Sequence, residues 1–164
     1  MKTLLLLRHA KSSRDDATLP DFDRPLNGRG KEDAKRMGRA LRDQHLAPGV
    51  VISSPARRAR KTAKKFVKHA ALALEPIFDE RIYEASLGEL LRVTADIKSD
   101  QEVALLVGHN PGFEELLACL SGQLLPLPTA ALACIDLNID NWADVGPRSG
   151  KLRWLVTPKE LTTN

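Results

Sequence analysis

Residues 3–7 (Thr-Leu-Leu-Leu-Leu), 50–53 (Val-Val-Ile-Ser) and 103–107 (Val-Ala-Leu-Leu-Val) are apolar at consecutive positions. They lack the strict alternation of a strand that keeps one face in water, so each must be covered on both faces, as in a parallel sheet. Residues 132–137 and 152–156 read as two further strands, and 74–78 is a weaker sixth candidate that Pro76 would confine to an edge. Between the strands, 28–45 places Gly30, Ala34, Met37 and Leu41 on one helical face, and 55–70 does the same with Ala59, Ala63, Phe66, Val67 and Ala70. Segments 86–98 and 111–121 carry less regular apolar spacing compatible with helices. Strand and helix therefore alternate, which predicts an α/β fold: a single domain over residues 1–164 with a mainly parallel sheet of five or six strands and helices on both faces.

Punctuation supports these boundaries. Ser54-Pro55 and Asn110-Pro111 each set a capping side chain before a proline at the expected first helical position, and Asn27 is the expected cap of the first helix. Residues 19–27 form a proline- and aspartate-rich loop. The last eight residues lack periodicity and are expected to fray.

A chain of 164 residues, 43% hydrophobic and 28% charged, has the balance of a folding globular domain. The four leucines after Thr3 stop at Arg8, too short a run for a secretory or spanning segment, so no membrane partner is expected. Cys119 and Cys134 are too few and too separated for a disulfide framework or a metal-binding pair, and a reducing cytoplasmic compartment is the natural expectation. The net charge is +4, and seven cations between Arg57 and Lys68, with no acid among them, make one localised positive field.

Arg8 and His9 follow the first buried strand, and His109 holds the matching place after 103–107. Arg58 opens the helix after another strand, so two arginines and two histidines could converge at the carboxyl edge of one sheet, the usual ligand crevice. The set suits a phosphoryl group: arginine donates paired hydrogen bonds to phosphate oxygens without losing its charge, and a neutral histidine nitrogen can attack phosphorus. Neutral His9 would carry the phosphoryl group, with Arg8, Arg58 and a protonated His109 stabilising the oxygens. Taken singly, either histidine could be a hydrogen-bonded core residue; His45 and His69, on charged helices, read as surface residues. The histidines together with Asp21, Asp23 or Glu84 could in principle bind a metal, but no His-x-x-x-His or cysteine cluster supports one. Gly108 and Gly112 do not make a dinucleotide fingerprint, nor does 27–31 make a P-loop, and no cofactor is expected.

Leu6-Leu7-Arg8-His9-Ala10, then Ser53-Ser54-Pro55-Ala56-Arg57-Arg58-Ala59-Arg60-Lys61-Thr62-Ala63, then Val107-Gly108-His109-Asn110-Pro111 resemble, in order and over nearly the whole chain, the histidine phosphatase superfamily of phosphoglycerate mutases and acid phosphatases. Within it they resemble the small SixA-type phosphohistidine phosphatases. The resemblance implies a phosphoglycerate mutase-like fold, His9 as the phosphorylated nucleophile, Arg8 and Arg58 as phosphate ligands, His109 as the fourth pocket residue and Asn110 beside it in substrate binding. It selects Arg58 over Arg57, because the family arginine lies four positions after the serine of Ser-Pro. Ala10 stands in place of the common glycine and Lys61 in place of the common glutamine. For the acid that larger relatives use to protonate a leaving group, Glu84 is the candidate, a surface carboxylate being the alternative. The short chain leaves little room for a substrate-enclosing lid, which suits a phosphorylated protein such as a histidine phosphotransfer protein. The competing readings are a small-metabolite phosphatase or mutase using the same His9, and a non-catalytic anion or nucleic-acid binder acting through residues 57–68. The second is disfavoured because Tyr83, Trp142 and Trp154 lie far from that segment in sequence.

Overall fold

The computed structural model describes residues 1–161. Its six strands, β1 (Lys2–Arg8), β2 (Val50–Ser53), β3 (Ile77–Phe78), β4 (Val103–Gly108), β5 (Leu132–Leu137) and β6 (Gly150–Val156), form one sheet in the order β3-β2-β4-β1-β5-β6. The first four are mutually parallel, while β5 runs antiparallel to β1 and β6 antiparallel to β5. Five helices accompany them: α1 (Gly28–Asp43), α2 (Arg57–His69), α3 (Leu87–Ala95), α4 (Gly112–Ser121) and the short α5 (Pro158–Leu161). This is the expected α/β architecture. The strand at 74–78 shortens to two edge residues directly after Pro76.

Strand periodicity divides the core between two faces. Leu4 and Leu6 of β1 and Ala104 and Leu106 of β4 pack with Leu90 and Val93 of α3 and Phe113, Leu116 and Leu117 of α4. Leu5, Leu7, Leu105 and Val107 point the other way, against Ala34, Met37 and Leu41 of α1 and Ala59, Ala63 and Phe66 of α2. All four leucines of β1 have no exposure, and each such burial contributes about 1.5–3 kcal/mol. The chain builds outward from β1 to β2 to β3 with α1 and α2 on one face, then returns to β4 with α3 on the other, as right-handed crossovers require. The reversal places the carboxyl ends of β1 and β4 side by side.

Caps explain where helices begin and correct two expectations. Asn27 accepts the Gly30 N–H at 2.8 Å, as expected, and Ser86 and Glu89 form a capping box on α3. Helix α2 starts at Arg57, not at Pro55: Ser54 turns inward and its Oγ accepts the Ala56 N–H at 3.2 Å, closing a turn ahead of the helix. Helix α4 likewise starts at Gly112, after a cis Asn110–Pro111 bond, with the Asn110 side chain directed elsewhere. Gly38 lets α1 and α2 approach, since a Cβ there would lie 2.6 Å from the Phe66 carbonyl oxygen. The expected fraying is corrected over 158–161, which form α5 and bury Pro158; 162–164 lie outside the described residues.

Candidate active site

In the β1–β4 register Arg8 faces Gly108, and the His9 N–H continues the ladder to the Gly108 carbonyl at 2.9 Å. His9 and His109, each one residue beyond that pair, are thereby neighbours, with ring centroids 5.1 Å apart. Strand β2 ends level with them, where the Ser54 N–H bonds the Val107 carbonyl, and the first turn of α2 then carries Arg58 over the strand ends. The structure thus gathers Arg8, His9, Arg58 and His109 on one cavity of about 530 Å³, with Asn110 at its wall.

The hydrogen bonds define the ring tautomers. His9 Nδ1 lies 2.8 Å from the Ala10 carbonyl oxygen, which can only accept, so Nδ1 carries the proton. Nε2 is left with its lone pair, facing the Arg58 Nε–H at 3.4 Å. Arg58 Nη2 lies 3.4 Å from His109 Nδ1 and can only donate, so the His109 proton sits on Nε2 and is donated to Ser54 Oγ at 2.8 Å. Burial, with smaller repulsion from His109, Arg58 and Arg8, lowers the His9 pKa to about 3 despite the Ala10 hydrogen bond. Burial, then Arg58, lowers that of His109 to about 4, although Asp21 opposes the shift. In the protein by itself both rings are therefore uncharged at neutral pH, and the protonated His109 expected in the transition state needs an anion beside it to favour its charged form.

Neighbours hold these groups in place. Thr62 Oγ accepts the Ala10 N–H at 3.0 Å and donates to the Arg58 carbonyl at 2.7 Å, tying the residue after the histidine to α2. Arg8 Nη1 and Asn110 Nδ2 both donate to the Leu127 carbonyl, at 3.0 and 2.8 Å, so the loop after α4 orients both side chains. Arg8 Nε is buried with no partner among the described residues. Asn110 commits its amide N–H to Leu127, and the remaining buried amide oxygen has no partner.

The structure also brings in a residue whose part the sequence did not reveal. Asp21, in the 3₁₀ turn Asp21–Asp23, binds Arg58 through both its carbonyl (2.7 Å) and its carboxylate (3.0 Å). The carboxylate also accepts from the Tyr83 hydroxyl at 2.7 Å and from Arg24 at 3.2 Å. Burial raises the Asp21 pKa, but hydrogen bonds from Tyr83 and Arg58 outweigh it and bring the value down to about 2. The only sequence signal was a run of acids in a loop directly after the histidine strand, legible as a turn but not as the partner of a distant arginine.

Arg57, the alternative to Arg58, points away from the cavity and donates to the Asp23 carbonyl at 3.3 Å. Glu84 is exposed, has a left-handed backbone (φ 53) and is not among the cavity-lining residues. Of the carboxylates that do line the cavity, Asp21 is held ionised and Asp15 is exposed at the rim. His45 is exposed and His69 half-exposed, both outside the cavity. Among the described residues no three His, Cys, Asp or Glu side chains cluster as a metal site would require, and no helix is long and apolar enough to cross a membrane.

Residues 4–115 match the histidine phosphatase superfamily (branch 1). An uncharacterised chloroplastic protein of Arabidopsis thaliana is 31% identical over 170 residues, covering 96% of this chain and 78% of that protein. An uncharacterised protein of Mycobacterium tuberculosis is 31% identical over 93% of this chain and its own full length. Among solved structures, one assigned as the phosphohistidine phosphatase SixA of Agrobacterium tumefaciens superposes with a TM-score of 0.83 at 26% identity, over 96% of this chain and 98% of that one. The chain belongs to the histidine phosphatase superfamily, in its SixA-type branch. It is a phosphatase with the phosphoglycerate mutase-like fold.

Proposed function

We propose that the protein hydrolyses phosphohistidine in a protein substrate, through a phosphoryl-enzyme intermediate on His9. His9 Nε2 attacks phosphorus as the P–N bond to the substrate imidazole breaks, and the bond's electron pair leaves with that imidazole. The product is a phosphoimidazolium on His9 whose Nδ1–H remains bonded to the Ala10 carbonyl, which steadies the new positive charge. Water then attacks phosphorus, inorganic phosphate forms and His9 leaves as the neutral imidazole it was at the start. Arg8 and Arg58 balance the phosphoryl oxygens, and His109, once the anion raises its affinity for a proton, adds a third cation. These three charges support a reaction without a metal.

One observation carries the choice of substrate: among the described residues, no carboxylic acid is poised to donate a proton. Asp21 is held ionised, and Glu84 stands outside the cavity. An alkoxide leaving group needs such a donor, whereas an imidazole departs neutral when its other nitrogen is protonated, its conjugate acid having a pKa of about 6.5. The rim agrees, since Lys11, Arg14 and Asp15 are exposed and the framing loops, 9–27 and 122–131, contain no α-helix to close over a small substrate. The test is a comparison of a phosphohistidine peptide, phosphoglycerates and sugar phosphates, with capture of a base-stable, acid-labile phosphoryl group on the intact protein. Preference for the peptide and loss of label in His9→Ala are expected; preference for a sugar phosphate or phosphoglycerate would move the assignment to metabolite chemistry.

A further inference from the structure

The seven cations of α2 are only partly accounted for by the catalytic cavity. Arg58 is used there and Arg57 binds the Asp23 carbonyl, but Lys61 and Lys65 make no ion pair with any described residue. Spaced four apart with Arg57, they form one row along the helix and line a second cavity of about 330 Å³ together with Lys31 of α1 and the floor residues Pro25 and Leu26. Helix α1 behaves differently: its Arg29, Lys35 and Arg36 pair with Asp33 and Glu32 in the same helix.

Local physics disfavours this arrangement. Like charges four apart repel, and Arg57 and Arg58 occupy the first turn of α2, where the helix dipole prefers acids and none is present. Cations of α1 add to the field: burial, then Arg39 and Lys35 of α1 with Lys68 and Lys65 of α2, lowers the pKa of His69 at the end of α2. Helices that oppose their own electrostatics in this way tend to do so where a ligand supplies the missing charge. Position identifies the ligand. Arg24 lines the catalytic cavity and Pro25 the basic groove, so one residue step separates them along a shared ridge.

We infer that this groove docks an acidic stretch of polypeptide flanking the phosphohistidine of the protein substrate. The inference rests on the phosphohistidine reading and adds the means by which the protein selects its partner. Lys61 and Lys65 engage carboxylates beside the groove while the phosphoryl group crosses the ridge to His9.

The experiment uses two phosphohistidine peptides, identical except that one carries flanking Asp and Glu and the other Asn and Gln, with phosphoramidate as a substrate too small to span the ridge. At low salt the acidic peptide is expected to show kcat/KM about tenfold above the neutral one, through KM, and to lose that advantage at high salt. The double variant Lys61→Glu, Lys65→Glu should abolish the advantage and leave phosphoramidate turnover unchanged. Equal kcat/KM for the two peptides, or an advantage that survives charge reversal, overturns the groove. Anisotropy with labelled, unphosphorylated peptides separates the two readings. Selective, Lys61- and Lys65-dependent binding without hydrolysis of either phosphopeptide supports the groove and overturns the proposed substrate. Hydrolysis of both peptides without selective binding does the reverse. Tighter binding of a single-stranded oligonucleotide of equal charge overturns the acidic polypeptide as occupant.

Discussion

Arg58 grips Asp21 at two points, the backbone carbonyl through Nη1 at 2.7 Å and the carboxylate through Nη2 at 3.0 Å. The arginine expected to receive phosphate is thus already neutralised by an internal anion, and an incoming phosphoryl group must share it. Asp21→Asn removes that charge while keeping the carbonyl contact. Inorganic phosphate is expected to inhibit this variant about three- to tenfold more tightly, through the removed repulsion. Weaker inhibition, measured at constant ionic strength, would show instead that the carboxylate's task is to aim the guanidinium.

The adjacent arginines should separate cleanly. Arg58→Ala is expected to lower kcat about 100- to 1,000-fold, the usual cost of one donor to transition-state oxygens. Arg57→Ala, which loses a single 3.3 Å contact to a loop carbonyl, should stay within about twofold on a small substrate. Steady-state rates on phosphoramidate decide the ranking, and a crippled Arg57→Ala would move the phosphate contact from Arg58 to Arg57.

Stability should fall on mild acidification. His9 and His109 bind protons only below about 3 and about 4 when folded, against 6.5 for an unperturbed imidazole. Between those limits the unfolded chain holds more protons, so the folded state loses stability as pH drops below 6.5. Asp21, depressed to about 2 from 3.8, adds a second loss at still lower pH. Thermal melts from pH 7 to 4.5 should show Tm falling by several degrees more than in a His9→Asn, His109→Gln double variant. Parallel curves would show that the rings titrate normally in the fold.

Glu84→Gln should alter hydrolysis of neither an alkyl phosphate nor a phosphohistidine peptide, because the carboxylate is exposed and outside the cavity. Selective slowing of the alkyl phosphate would make it the proton donor after all, reaching the leaving group from the Tyr83 side.

The sheet was legible because its signal is local: four consecutive leucines, or Val-Ala-Leu-Leu-Val, can be satisfied only by burial on both faces. The gathering of Arg8, His9 and His109 could be anticipated for the same reason, since residues just past parallel strands arrive at one edge. Ser54-Pro55 misled because a serine before proline can cap a helix or turn inward, and the choice depends on a histidine 55 residues away. Asp21 and Tyr83 are 62 residues apart and lie on irregular segments, so no periodicity links them. Their meeting depends on how the loops fold over the strand ends.

The backbone hydrogen bond from His9 to Gly108 continues the same ladder that aligns Leu4 with Ala104 and Leu6 with Leu106. A slip of one residue between these strands would turn buried leucines toward the wrong helices and part the two imidazoles in a single movement. The position of His9 therefore has no adjustment separate from the fold, and a misassembled molecule should be inert instead of carelessly reactive.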